Sequence, residues 1–188
     1  IRISNGIDFS SIPLRQQIHT MENELHLIGV AEIHFWHGFD RIINGLKEYY
    51  TQNPTYKVYF HIVGNLSGER ERQEIEMPIH TYGLSPYVIL HGAKHGKELD
   101  VLFEKADFAV GSLARHRSGI QNIKTLKNRE YAARGFGFIY SETDDDFEKM
   151  PYILKAPADE TPIEISKVIA FCKKKTTPPQ EIRDSIRN

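Results

Sequence analysis

Short apolar runs alternate with amphipathic stretches along most of this chain. LHLIGVA (25–31) is rich in branched residues and short, the pattern of a strand buried on both faces. In GFDRIINGLKEYY (38–50), Phe39, Ile42, Ile43, Leu46 and Tyr50 recur at helical spacing, and Pro54 closes the segment. KVYFHIVG (57–64) predicts a second strand, and SGERERQEIEMPI (67–79) a helix with Ser67 as its N-cap. YVILHG (87–92) predicts a third strand, followed by GKELDVLFEKA (96–106), whose Leu99, Leu102 and Phe103 form one helical face. FAVGSL (108–113) is the fourth strand, with a helix over IKTLKNREYAARG (123–135). GFIYS (137–141) and YILKAP (152–157) are the fifth and sixth, and IEISKVIAFCKKK (163–175) is a helix with cations at its C-terminal end, where the dipole favours them. TTPPQEIRDSIRN (176–188) reads as a Pro-Pro break and a short polar helix suited to packing against something outside the chain.

Strands alternating with helices indicate parallel βαβ units wound right-handed into one sheet. The expected fold class is α/β, a Rossmann-like open parallel sheet with helices on both faces. Residues 1–20 read as a linker or domain start, 21–175 as the domain, and 176–188 as a C-terminal tail helix. In such sheets ligands sit beyond the carboxyl ends of the strands. That points to the loops at 32–38, 64–68, 91–96, 112–124 and 141–146. Backbone N–H groups at helix starts favour anions, so a phosphate-bearing ligand is the natural expectation.

Composition narrows the classes. The 188 residues fit one domain with a real core, and 24 Lys+Arg against 25 Asp+Glu leave no global field for nucleic acid or anionic lipid. The single cysteine, Cys172, excludes an internal disulfide and fits a reducing, cytoplasmic setting. No apolar run reaches the roughly 20 residues a membrane span needs. The chain opens on Ile1 without a methionine, which reads as a fragment beginning inside a longer protein.

The candidate loops differ in what they offer. EIHFWHG carries Glu32, His34, Trp36 and His37; the His-x-x-His spacing has no cysteine or carboxylate cluster beside it, so ordinary loop contacts are expected rather than metal. Trp36 is expected to be a packing anchor. Gly64-Asn65-Leu66-Ser67-Gly68 resembles a phosphate-binding turn but matches no dinucleotide or P-loop fingerprint. SLARHRSGIQNIKTLK is richest: Arg115, His116 and Arg117 follow a strand, and Lys124 and Lys127 fall in the expected first turns of the next helix. Cations there oppose the helix dipole, which makes sense if an anion sits among them, the alternative being a solvated basic loop. Glu130, one to two turns further on, suits the vicinal hydroxyls of a ribose; it equally suits an ion pair with Lys127 or Arg134 at helical spacing.

The blocks taken together resemble the C-terminal, nucleotide-sugar-binding half of a family 4 glycosyltransferase of GT-B architecture. Ser4-Asn5-Gly6-Ile7-Asp8 resembles the family's P-N-G-[VI]-D linker element. LIGVAEIHFWHGFDRII is similar to V-G-R-x…K-G-x-D-x-L-I, with Gly38 and Asp40 matching. VYFHIVGN resembles L-x-I-V-G-x-G, VILHGAKHGKELDVLFEKADFAVGSL resembles V-x-F-x-G…Y-x-x-A-D-x-x-V-x-P-S, and REYAARGFGFIYS resembles E-A-M-A-x-G-x-P-V-V. The resemblance implies that Glu130 contacts the donor ribose, that Ile123, Lys124, Thr125 and Leu126 meet the diphosphate and sugar, and that Leu90, His91 and Gly92 hold the base. Three positions depart from the pattern. Asn122 stands where an acidic residue usually touches the donor sugar, and Glu32 and His37 stand where the family has its basic pair beside the diphosphate. Arg115, Arg117, Lys124 or Lys127 could replace that clamp.

By resemblance, then, the activity is retaining, metal-independent sugar transfer from a nucleotide-diphosphate donor in glycan or polysaccharide biosynthesis. No cofactor is implied beyond the donor itself. The expected partner is a missing N-terminal acceptor-binding domain, through which peripheral membrane association could occur; alone, this chain is expected to bind nucleotide weakly and not turn over. The competing reading is a non-catalytic Rossmann-like module that binds a nucleotide or a partner. A receiver-type domain is disfavoured, because no Asp-Asp pair follows the first strand.

Overall fold

A computed structural model describes residues 7–16, 18–174 and 177–187. The linker element's Ser4-Asn5-Gly6, and the 175/176 boundary expected from sequence, lie outside the described residues. Six strands, β1 (Glu24–Val30), β2 (Lys57–Val63), β3 (Val88–Leu90), β4 (Phe108–Val110), β5 (Phe138–Tyr140) and β6 (Ile153–Lys155), form one sheet in the order β3-β2-β1-β4-β5-β6. Every pairing is parallel. The chain therefore winds outward from β1 to β3, then crosses back to start again at β4. The point between β1 and β4 is the topological switch, where ligands of this architecture sit.

Side chains alternating along each strand feed two cores. Leu25, Leu27, Val58, Phe60 and Ile62 join Ile42, Ile43 and Leu46 of α1 (Phe39–Thr51) and Val168 of α6 (Ile165–Lys173) on one face. Ile28, Val63, Ala109, Phe138 and Tyr140 join Phe103 of α4 (Gly96–Lys105) and Tyr131 and Ala132 of α5 (Leu126–Ala133) on the other. Each buried aliphatic or aromatic side chain contributes about 1.5–3 kcal/mol relative to exposure, so two-sided burial fixes the strand register firmly. Cys172 lies in the first core, its thiol pushed up to about 12 by burial, and is chemically quiet.

Three local expectations are corrected. Ser67 does not cap the second crossover helix: Gly68 holds the N-cap position, and the Ser67 hydroxyl instead donates to the Ile33 carbonyl at 2.5 Å. That bond ties the loop after β2 to the loop after β1. The helix itself runs through α2 (Glu69–Glu71), a π segment (Arg72–Glu76) and α3 (Met77–Thr81). Second, α5 starts at Leu126, three residues later than its periodicity suggests. Ile123 is held beside the Asn122–Thr143 bridge instead, donating to Thr143 O at 3.0 Å, while Thr143 N donates to Gln121 O at 2.7 Å. Thr125 caps the helix by accepting from Asn128 N at 3.2 Å. Lys124 thus precedes the helix, and only Lys127 lies in its first turn.

Third, the tail helix α7 (Pro179–Asp184) packs on its own domain. Ile182 is buried, and the Arg183 guanidinium donates to Ala133 O and Ile12 O, both at 2.9 Å. Pro179 lies against Gly135, which holds φ +80° and has no room for a Cβ. Among the described residues no helix is long and apolar enough to cross a membrane.

Candidate functional site

β1 and β4 pair only at Leu27–Phe108 and Ile28–Ala109 before they part. Tyr131 bridges the gap: its hydroxyl accepts from Val30 N and donates to Val110 O, both at 3.0 Å. Above it, a 3-10 turn, Phe35–His37, meets a second one, Arg115–Ser118. Leu113 N donates to His37 O at 2.8 Å and Ala114 N to Trp36 O at 3.2 Å. Gly38 permits this approach, because it sits at φ +66° and a Cβ there would stand 2.8 Å from that of Ala114.

His37 is buried under this junction and accepts at Nδ1 from His34 N at 3.0 Å. Burial, then the neighbouring Lys127 and Arg115, push its pKa down to about 2, so it stays neutral. With Nδ1 used as acceptor, the proton sits on Nε2, which leaves one neutral donor in the site.

The main feature is a group of polar atoms that satisfy nothing. Among the described residues, seven buried side-chain atoms lack a hydrogen-bond partner: Ser112 Oγ, Arg115 Nε, His116 Nδ1, Lys127 Nζ, Asn128 Oδ1 and both carboxylate oxygens of Glu142. They come from the segment after β4, including the 3-10 turn at Arg115–Ser118, from the first turn of α5 and from the residue after β5. An orphaned buried polar group costs about 1–3 kcal/mol, more when charged, so such a cluster at the switch point is not chosen for stability. Burial and then Arg115 push the Lys127 pKa down to about 7, against the opposing pull of Glu142. Glu142 is pushed up, chiefly by burial and in spite of its own backbone N–H, Arg115 and Lys127. Charged groups displaced in this way, crowded at one strand end, mark a site built for something else to enter.

The cluster is closed to solvent. The Arg115 guanidinium lies 5.6 Å from the Trp36 ring, which stacks on His34 with centroids 4.2 Å apart. Among the described residues, cavities open elsewhere on the domain, and five of them are lined by none of Arg115, Lys127, Glu130 and Glu142.

The residues singled out from sequence divide into those brought to this cluster and those engaged elsewhere. Arg115, Lys127 and His37 are in it, with Asn122, Ile123, Thr125 and Leu126 at its edge. Arg117 is not available: it makes a fork with Asp40 at 2.9 and 2.8 Å, binds Glu160, and donates to Phe35 O at 2.8 Å. Those carboxylates raise its pKa and hold its charge in the wall of the site. Lys124 reaches Asp146 at 2.6 Å. Glu32 is exposed. Glu130 accepts through Oε1 from Arg134 Nε at 3.0 Å, the ion-pair geometry of the helical alternative, while sharing a helix face with Lys127. Trp36 stacks and lies under a cation, as an anchor with one working face. Among the described residues no group of three His, Cys, Asp or Glu side chains is arranged to hold a metal ion.

Sequence reasoning named the 141–146 loop but did not single out Glu142 within it, and it missed a histidine row. Glu24, His26, His61 and His91 run across β1, β2 and β3 in series, with contacts of 3.1, 2.9 and 2.9 Å. Glu24 accepts from His26 Nε2–H, so His26 and His61 each accept at Nδ1 and donate at Nε2, and His91 donates at Nε2. The row ends at His91, beside Leu90 and the left-handed Gly92. Burial, then His26, His91 and Lys105, push His61 down to about 4; burial, then Lys94 and Lys105, lower His91. A histidine held below its unfolded value of 6.5 favours the fold in its neutral form. Stability is therefore complete above about 6.5 and is lost as pH falls toward about 4. Thermal midpoints recorded between those limits should decline, and a His61→Phe variant should decline less steeply.

No protein-family model and no curated protein matches the sequence. Solved structures do. The C-terminal domain of a glycosyl transferase group 1 family protein (LpcC) from Francisella tularensis superposes with a TM-score of 0.63 at 15% identity, covering 96% of both chains. Anabaena Alr3699/HepE, in complex with UDP and glucose, gives 0.68 at 18% identity over 96% of this chain and 50% of its own. A Rickettsia africae glycosyltransferase gives 0.65 at 12% identity over 87% of this chain and 43% of its own. The fold is that of a GT-B glycosyltransferase's C-terminal domain. This chain spans half or less of the longer glycosyltransferases it matches. In this sheet the orphaned cluster falls near the topological switch point, where ligands of parallel α/β sheets bind.

Proposed function

We propose that this domain binds the diphosphate of a nucleotide-sugar donor at the β1/β4 switch point, as half of a glycosyltransferase. The observation that carries this reading is the concentration of unpartnered buried polar atoms around the start of α5. Arg115 and Lys127 supply two cations, His37 Nε2–H a neutral donor, and the first N–H groups of α5 a partial positive charge. Together they would stabilise the charge that develops on a departing diphosphate, the largest electrostatic demand of glycosyl transfer. With that charge met by protein cations, the reaction needs no metal ion. The likeness to Anabaena HepE, solved with UDP and glucose, supports a nucleotide-sugar as the ligand class. Asn122 to Leu126 would line the diphosphate and sugar. Glu130 would exchange Arg134 for the ribose hydroxyls, and the Leu90–Gly92 loop would border the base.

Acceptor binding and transfer with retention belong to a second domain in this proposal, in a cytoplasmic route of glycan assembly. Entry of donor requires the closed cluster around Arg115, Lys127 and Glu142 to open. Calorimetry with this chain should detect UDP-glucose and UDP, or their GDP or ADP counterparts, with the monophosphate at least about tenfold weaker, because one cation–phosphate contact is worth roughly 1.5–3 kcal/mol. Equal affinity for mono- and diphosphate, or no binding by any of them, refutes the assignment.

A further inference from the structure

Glu142 is the most unusual group in the molecule that the diphosphate does not explain. It follows β5 directly, where Ser141 N is anchored to Ser112 O at 3.0 Å. Its side chain is 2% exposed, yet no group beyond its own backbone N–H is placed to donate to either carboxylate oxygen. Arg115, Lys127 and Lys155 all pull on its charge, but none forms an ion pair with it; the Lys155 ammonium goes to the Glu142 backbone carbonyl and to Glu148 instead. A carboxylate kept only to neutralise those cations would touch one of them. Nor can it serve the phosphates, whose charge it repels.

Its position gives the reason. Thr143 pairs with Asn122 in a short parallel bridge, so Glu142 stands one residue from the strand-like segment 121–123. Asn122 is neutral and exposed, with no carboxylate to offer at the edge of the site. Building on the donor reading above, we propose that Glu142 accepts the hydroxyl groups of the transferred sugar and so decides which sugar nucleotide is held. A pair of vicinal hydroxyls would satisfy both orphaned oxygens at once, with Lys127 and Arg115 standing between carboxylate and diphosphate. The carboxylate selects for hydroxyl or amino donors, against sugars deoxygenated at those positions.

The test is calorimetry with UDP and UDP-glucose, and GDP and GDP-mannose, on the wild-type chain and on Glu142→Gln. Wild type should bind one sugar nucleotide about tenfold tighter than its bare diphosphate, the increment of a hydrogen bond to a charged group. In Glu142→Gln that gain should vanish, while the bare diphosphate binds about twofold to threefold tighter because a nearby like charge is gone. A variant that keeps the gain, or a wild type that shows none with either donor, overturns the role of Glu142 and leaves the diphosphate site standing. Loss of diphosphate and sugar nucleotide together in a variant that still melts cooperatively also overturns it, making Glu142 a support for Arg115 and Lys127. If wild type binds no nucleotide at all, the donor reading fails first and this inference with it.

Discussion

Lys127→Met should make the domain more stable and a much poorer nucleotide binder at the same time. The ammonium of Lys127 is cut off from solvent, makes no hydrogen bond, and titrates at about 7 instead of 10.5. Keeping a charged lysine in such a place costs the fold on the order of a few kcal/mol. Methionine matches the stem in length, packs beside Phe39, whose ring lies 5.8 Å from the Nζ, and carries nothing to desolvate. Thermal or urea unfolding should report a gain of about 1–3 kcal/mol, while affinity for a nucleoside diphosphate falls at least about tenfold. A residue whose removal helps folding and harms binding is one that function has placed there. Were the variant less stable and unchanged in affinity, Lys127 would be a structural residue and the site would lie elsewhere.

The second large effect is expected at Gly64→Ala. Gly64 holds φ +134°, a conformation that an L side chain rarely adopts, and a Cβ there would stand 1.6 Å from the Ala31 carbonyl oxygen. That oxygen belongs to backbone just beyond β1, so it cannot rotate away. Gly64 N also donates to Gly92 O at 2.8 Å, linking the ends of β2 and β3. Separation of these loops should cost more than about 3 kcal/mol and leave the chain poorly folded. Expression with circular dichroism and a urea titration would read this out. A soluble Gly64→Ala protein with an unchanged midpoint would mean the three loop ends are not packed as described.

Gly64 also shows how far the sequence could be read. A glycine pair at a strand end looks like a phosphate turn, and the motif alone could not say that this glycine exists to let two carbonyl-bearing backbones meet. Periodicity sufficed for the sheet, because strands buried on both faces, such as 25–31 and 57–64, must be continuous apolar runs. It failed by three residues at α5, where Ile123 looks like a helical core position but its N–H goes to Thr143 O beside the Asn122–Thr143 bridge. Long-range pairing of that kind leaves no local mark.

The site was half legible. Arg115, Arg117, Lys124 and Lys127 stood out as cations near a helix start, but sequence cannot say which of them already has a carboxylate. Asp40 and Glu160 take Arg117 from 77 and 43 residues away. Only Arg115 and Lys127 are left without such a partner in the cluster. Glu142 sits in an acidic run, SETDDDFE, inside the 141–146 loop expected near the ligand, but the run does not show which of its carboxylates is buried. Its burial comes from the β5 end and the 121–123 bridge closing over it. The histidine row had no signal either, since His26, His61 and His91 are separated by about one crossover unit each.

The most direct trial of the account is calorimetry of UDP-glucose binding between pH 6 and 8.5, repeated in buffers of differing ionisation heat. The diphosphate of a sugar nucleotide does not titrate in this range, so any proton taken up belongs to the protein. An anion seated on Lys127 must raise its pKa from about 7, so binding should consume up to one proton at the alkaline end and weaken as pH rises above about 7. Lys127→Met should abolish both the proton uptake and the pH dependence. Binding that is equally tight across the range, with no proton exchanged, would show that the diphosphate does not rest on this buried lysine.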